Sequence, residues 1–252
     1  MHNIHMAEVT EDFAKCWHAA GIHLDEKFDG STHSWLKSNL TPPFLEHLSF
    51  RLGNQLFFIR IEDVEDQLET PGSLEGLETI AKECKGHACL LPMQRVKNNW
   101  RPTEMDWGLI DTKSRKPINP TELITEEKIE MTDWELQDFA VQVVREHIKK
   151  EGHELMSWQS SPKVDPSIWF VGDDGPEWVV VRAYRELEEE PQLPKNIGSI
   201  SASCSRISVK GNFAPVFVVC MASMMDGGQI YRGYPLIPEF SGLSTLDNQL
   251  KP

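Results

Sequence analysis

Two groups of residues in this 252-residue chain could do chemistry. The first lies in VDPSIWFVGDDGPEWVVVRA, residues 164–183, where Asp165 precedes one apolar run and Arg182 sits inside the next. An unpaired charge in a core is costly, so Arg182 must find an acidic partner; Asp165 on the neighbouring strand or Glu135 on a preceding helix can supply it. The same charges facing an open cleft would instead belong to a metal-dependent catalytic site. The second group is Cys84, His87 and Cys89, a C-x2-H-x-C cluster of types that zinc accepts. Its spacing is not a usual zinc spacing, and a fourth ligand would have to come from Cys16 or His18. Leu74, Leu77, Ile80, Ala81 and Cys84 also form a helical apolar stripe ending at Gly86, which reads Cys84 as a packed thiol.

Other chemistries find no support in the chain. It contains no G-x-S-x-G, Walker loop, dinucleotide fingerprint or HExxH. A catalytic Cys–His pair would have to draw on Cys84 or Cys89 with a distant histidine. With 39 acidic and 25 basic residues the formal charge is -14, and the excess is spread evenly over the two halves. Nucleic-acid binding draws most of its affinity from Lys and Arg on phosphates, so strong direct binding of duplex DNA is not expected. The basic residues Lys97, Arg101, Lys113, Arg115 and Lys116 read as solvated loops. The tryptophans, Trp35, Trp100 and Trp107 among them, read first as core residues; any exposed on a -14 surface would suit a basic protein partner. No apolar run is long enough to span a bilayer and the N-terminus lacks a secretory pattern, so no membrane partner and a cytoplasmic location are expected. The five cysteines are odd in number and lie in segments that read as regular structure, which suits reduced, buried thiols.

The elements that must position these residues are legible from periodicity. Phe13, Ala14, Trp17 and Ala20 predict a helix stopped by Gly21. HLSFRL and QLFFIRIE alternate around Gly53-Asn54 and predict a hairpin. PGSLEGLETIAKECKG reads as a helix, HACLLPM as a returning strand, and WGLID as a short strand within a proline-rich connection. This predicts a small N-terminal α+β domain over residues 1–122. A second domain, 123–252, opens with the helix TDWELQDFAVQVVREHIKKEG, in which Thr132 and Glu135 have capping-box spacing and Leu136, Phe139, Ala140, Val143, Val144 and Ile148 share a face. HELMSWQS, SIWFVG and EWVVVRAY follow as strands, with Asp173 and Asp174 as turn residues. NIGSISASCSRISVKG then reads as a helix carrying Ile197, Ile200, Cys204 and Ile207, APVFVVCMASM as a buried strand, and QIYRGYPL as a last strand. The order predicts an α+β or α/β architecture, a mixed sheet flanked by helices.

On these residues the second half, about 130–235, resembles the PD-(D/E)XK, or restriction-endonuclease-like, superfamily. Its core is a helix, a three-strand meander, a second helix and a further strand. The resemblance places Asp165 at the first acidic position, Glu135 at that of the helical glutamate, and Arg182 where the family has its lysine. It implies a Mg2+-dependent phosphodiesterase, with Asp165 holding the metal. Val180 stands where the family has its second carboxylate and offers no ligand. Arginine stays protonated at any reachable pH, so it can stabilise charge but not act as a base. Glu177 lies on the opposite strand face from Val180 and Arg182 and cannot replace the missing acid without a bulge. The expectation is therefore a non-catalytic interaction or accessory protein on a decayed nuclease-like domain, needing no cofactor. A Mg2+-dependent nuclease with an unusual site is the alternative.

Overall fold

Thr10 starts the first helix, its hydroxyl accepting the Phe13 amide, and Glu11 and Asp12 stand in the first turn where the backbone N–H groups favour negative charge. This helix, α1 (Glu11–Lys27), buries Phe13, Cys16, Trp17, Ala20, Gly21 and Leu24. Gly21 does not stop it. The glycine falls on the buried face and Leu24 extends the apolar stripe one turn further. The computed structural model describes residues 10–28, 33–36, 47–185, 190–222 and 228–246. It divides into two units, 1–129 and 130–252. Both have mixed sheets flanked by helices, an α+β fold, and among the described residues no helix is long and apolar enough to cross a membrane.

In the first unit, β1 (His33–Trp35), β2 (Leu48–Leu52) and β3 (Gln55–Asp63) are antiparallel. Leu52 pairs with Gln55 across a two-residue turn, in which Gly53 takes the positive φ of 57° that a side chain would resist. After β3 the helix α2 (Leu74–Glu83), capped by Ser73, returns the chain to β4 (His87–Val96), parallel to β3. Strands β5 (Asn99–Pro102), β6 (Leu109–Asp111) and β7 (Pro117–Ile118) complete the sheet, ordered β1-β2-β3-β4-β6-β7 with β5 also on β4. Phe57, Ile59, Ile61, Cys89, Leu91 and Met93 project from alternate positions into one core with α1. The connection at 120–127 belongs to this unit rather than beginning the next. Asn54 donates to Thr125 Oγ1 (2.9 Å) and to the Glu127 carbonyl (2.8 Å), and accepts the Thr125 amide, pinning the segment to the hairpin turn. The division therefore falls after Ile129, not after Glu122.

In the second unit, α3 (Asp133–Lys150) begins with the full capping box of Thr132 and Glu135. Next come β8 (Glu154–Trp158), β9 (Ile168–Gly172), β10 (Gly175–Tyr184), α4 (Ile197–Cys204), β11 (Gly211–Val219), β12 (Ile237–Glu239) and β13 (Ser244–Thr245). The sheet runs β12-β11-β10-β9-β8, with β13 beside the start of β11. β9 and β10 are antiparallel across the Asp173-Asp174 turn, whereas β10 and β11 are parallel, joined through α4. Trp178, fully buried, lies so close over Gly211 that any Cβ there would collide with its ring. Three expectations are corrected. The buried face of α3 takes Val141 in place of Val143 and half-buries Phe139, because Glu135, Gln137, Asp138 and Arg145 also turn inward. Helix α4 ends at Cys204, leaving Ile207 63% exposed. QIYRGYPL forms no strand: it makes one bridge, Glu130 to Tyr231, and turns at Gly233 with φ 88°. Residues 223–227, partly included in APVFVVCMASM, lie outside the described residues.

His23 of α1 bonds through Nε2 to the Trp107 carbonyl (3.0 Å). Burial holds its pKa below the ordinary histidine value, outweighing that bond. The unfolded chain therefore binds the proton more readily. Stability from a neutral His23 should be present above about pH 6.5 and fall as the pH drops through the lower folded value. Melting the parent and His23→Gln between about pH 7.5 and 5 tests this; equal acid sensitivity of the two would refute it.

Candidate functional site

The turn at Asp173-Asp174 sets Gly172 opposite Gly175 and Ile168 opposite Val179. Extending the same register three residues past Ile168 sets Asp165 opposite Arg182. The side chains meet there: Arg182 Nη1 donates to Asp165 Oδ1 at 2.9 Å and Nη2 to Oδ2 at 2.6 Å, a two-pronged pairing that occupies both carboxylate oxygens. Nη1 also donates to the Val181 carbonyl. Asp165 is 8% and Arg182 20% exposed at the side chain, so the pair is largely withdrawn from water. The charge inside WVVVRA thus has a partner on the adjoining chain segment.

Glu135 does not join them. Its Oε1 and Oε2 accept from Nε and Nη2 of Arg232, both at 2.9 Å, and Oε2 also accepts from the amide and hydroxyl of Thr132. The side chains of Glu135 and Arg232 are 1% and 0% exposed. Strand alternation explains the separation. Arg182 has the parity of Trp178 and Val180, which pack with Ile200 and Cys204 of α4. Ala183 has the opposite parity and packs with Leu136 of α3. The three residues aligned with the nuclease pattern are therefore divided between the faces of the sheet. Val180 is fully buried among apolar groups, and Glu177 accepts from Asn212 at 3.0 Å on the face that Val180 leaves. Asp174 pairs with Lys210 as a turn residue. Arg232, within QIYRGYPL, was missed as a site residue; the signal available was a second arginine between buried apolar positions.

The cysteine cluster is also dispersed. Cys84 closes α2 and is buried, as are Leu77 and Ala81 of that helix, while Cys89 projects into the α1 core. His87 stacks on Phe57 and bonds to Gln55 Oε1. Burial pushes the Cys89 thiol well up, and Cys16 up to about 12, away from the thiolate that zinc requires. Among the described residues, no three His, Cys, Asp or Glu side chains are gathered to hold a metal, around either Asp165 or this cluster. All five cysteines are buried and none forms a disulfide. A groove of about 870 Å³ runs along α1 and β5, lined by Lys15, Lys27 and Arg101 together with Glu26, Glu104 and Asp106, so neither sign dominates it.

Removing one partner of a buried pair strands the other charge at a cost of about 3–5 kcal/mol. Arg232→Met should reach the upper part of that range, and Arg182→Ala the lower part, since water reaches a fifth of Arg182. Pairing Arg232→Met with Glu135→Leu should recover much of the loss. Chemical denaturation measures all three, and a wild-type midpoint for either single variant would contradict the assignment. For the thiols, elemental analysis of purified protein should find no stoichiometric zinc, with the melting temperature unchanged by chelation; one zinc per chain would refute the packed-thiol reading.

No curated protein and no solved structure matches the chain. Residues 134–246, from α3 to the end of the second unit's described part, match a family model described as a domain of unknown function, DUF8840, so the second unit is similar to that family.

Proposed function

We propose that this chain is a protein-interaction or accessory protein built on a nuclease-like domain that no longer supports catalysis. The observation that carries this reading is the engagement of both Asp165 oxygens by Arg182. A nuclease-like site needs carboxylate oxygens presented to a divalent cation and a group that can activate water. Here the carboxylate is spent on a guanidinium, the second acidic position is the buried Val180, and Glu135 is committed to Arg232 on the other face. The acidic balance of 39 to 25 favours a basic protein partner, one that itself handles nucleic acid, over direct binding to duplex DNA. Buried cysteines outside any disulfide accord with a cytoplasmic setting. The Mg2+-dependent nuclease remains the alternative; it would require Asp165 to exchange Arg182 for a metal and to recruit a second acid.

Incubating the protein with duplex DNA, single-stranded DNA and RNA in Mg2+ or Mn2+ separates the readings. The expected outcome is no cleavage, no sub-micromolar DNA binding at physiological salt, and salt-labile association with a basic protein in affinity purification from its own cells. Metal-dependent cleavage that disappears in Asp165→Ala would overturn the proposal in favour of the nuclease.

A further inference from the structure

Arg145 of α3 is an unusual charge in the second unit. The residue is 5% exposed, its Cζ lies 3.8 Å from the centre of the Trp158 ring, and its Nε is buried without a hydrogen-bond partner. The acid whose charge it feels most, Asp138, is committed elsewhere: Oδ1 accepts from Ser160 Oγ and Oδ2 from Gln142 Nε2, both at 2.5 Å. Glu146, the next residue on α3, is exposed and accepts from Lys149. Burial lowers the Arg145 pKa, the mark of a cation taken from water without full compensation. The other buried arginine of this unit, Arg232, has its carboxylate within the chain.

Stacking on Trp158 covers the face of the guanidinium, and on its edge the Nε donor is left unmatched. That edge carries the N–H donors in one plane, a geometry matched to the paired oxygens of a carboxylate or phosphate. Ser160 and Gln142 both donate to Asp138, so this neighbouring carboxylate is held before anything binds. Trp158, itself 5% exposed, ends β8, the last strand at one side of this sheet. A donor left unmatched in a sealed position costs free energy that a matching acceptor recovers on arrival. We infer that Arg145, stacked on Trp158 beside the β8 edge, is a receptor for an oxyanion, a carboxylate or a phosphate group. This site is independent of the Asp165–Arg182 pair, and its failure would leave the proposed function standing.

The Nε–Hε resonance of Arg145 reads the orphaned donor directly. It should move saturably when the full chain is titrated with sodium phosphate or with sodium acetate at constant ionic strength. A response to acetate alone assigns a carboxylate such as a partner's acidic side chain or C-terminus; a tighter response to phosphate assigns a phosphoryl ligand. In parallel, the effective anion should raise the melting temperature of the parent by several degrees at saturation and leave that of Arg145→Lys unmoved, since lysine keeps the charge and loses the planar fork. If Arg145→Lys fails to fold, the resonance in the parent still decides. A resonance that neither anion moves, or equal anion stabilisation of parent and Arg145→Lys, overturns the inference and leaves Arg145 as a packing residue on Trp158.

Discussion

The second unit depends on how β10 satisfies its backbone along an edge that its partner strand covers only in part. On one side β11 runs parallel to it from Trp178 to Tyr184. On the other, β9 pairs only as far as Val179. Beyond that point the sheet would leave fully buried N–H and C=O groups at Val181 unmatched, a cost that folded chains avoid. Side chains take over, Ser167 and Gln137 beside the Arg182 bond to the Val181 carbonyl. The Ser167 hydroxyl accepts the Val181 amide, and the Gln137 amide group donates to the Val181 carbonyl and accepts the Ala183 amide. Gln137 thereby acts as a one-residue strand, lent by α3. Helix and sheet are joined by directional bonds as well as by apolar contact.

The same gap in β9 creates the room in which Asp165 and Arg182 meet. Once β9 stops pairing, the chain before it brings its first acidic residue, Asp165, to the arginine. Two charges withdrawn from water gain little net stability over an apolar pair, but each is costly without the other. Their coexistence at one cross-strand position is therefore a constraint on both segments at once. It holds the loop ahead of β9 to the far end of β10, where no ladder hydrogen bond does so.

The sequence offers Arg182 two acidic partners, Asp165 and Glu135, and the register set by the two-residue turn at Asp173-Asp174 is what favours Asp165. The α+β class, the Gly53-Asn54 hairpin and the capped helix at Thr132 were legible for similar local reasons. What was not legible required knowledge of distant partners. Gly21 reads as a stop until Leu24 is known to face a core. Apolar spacing alone points to Val143 rather than Val141, because it ignores the inward-turned Glu135, Gln137, Asp138 and Arg145. The last of the missed elements, Arg232, lies 97 residues from Glu135, and nothing in either local segment announces the pair. Spacing to Thr132 makes Glu135 legible as a capping residue; its bond to Arg232 is a tertiary fact.

The inward polar face of α3 gives these observations a common cause. A helix packed only by Leu136, Ala140, Val141, Val144 and Ile148 could rotate by a fraction of a turn at little cost, since apolar contact is non-directional. Adding Glu135, Gln137 and Asp138 removes that freedom: one rotation alone presents each of them to Arg232, to the β10 edge and to Ser160 together. Each of these groups is satisfied within the unit, as burial requires. Arg145 lies on the same face and obeys the rule only through its ring contact with Trp158.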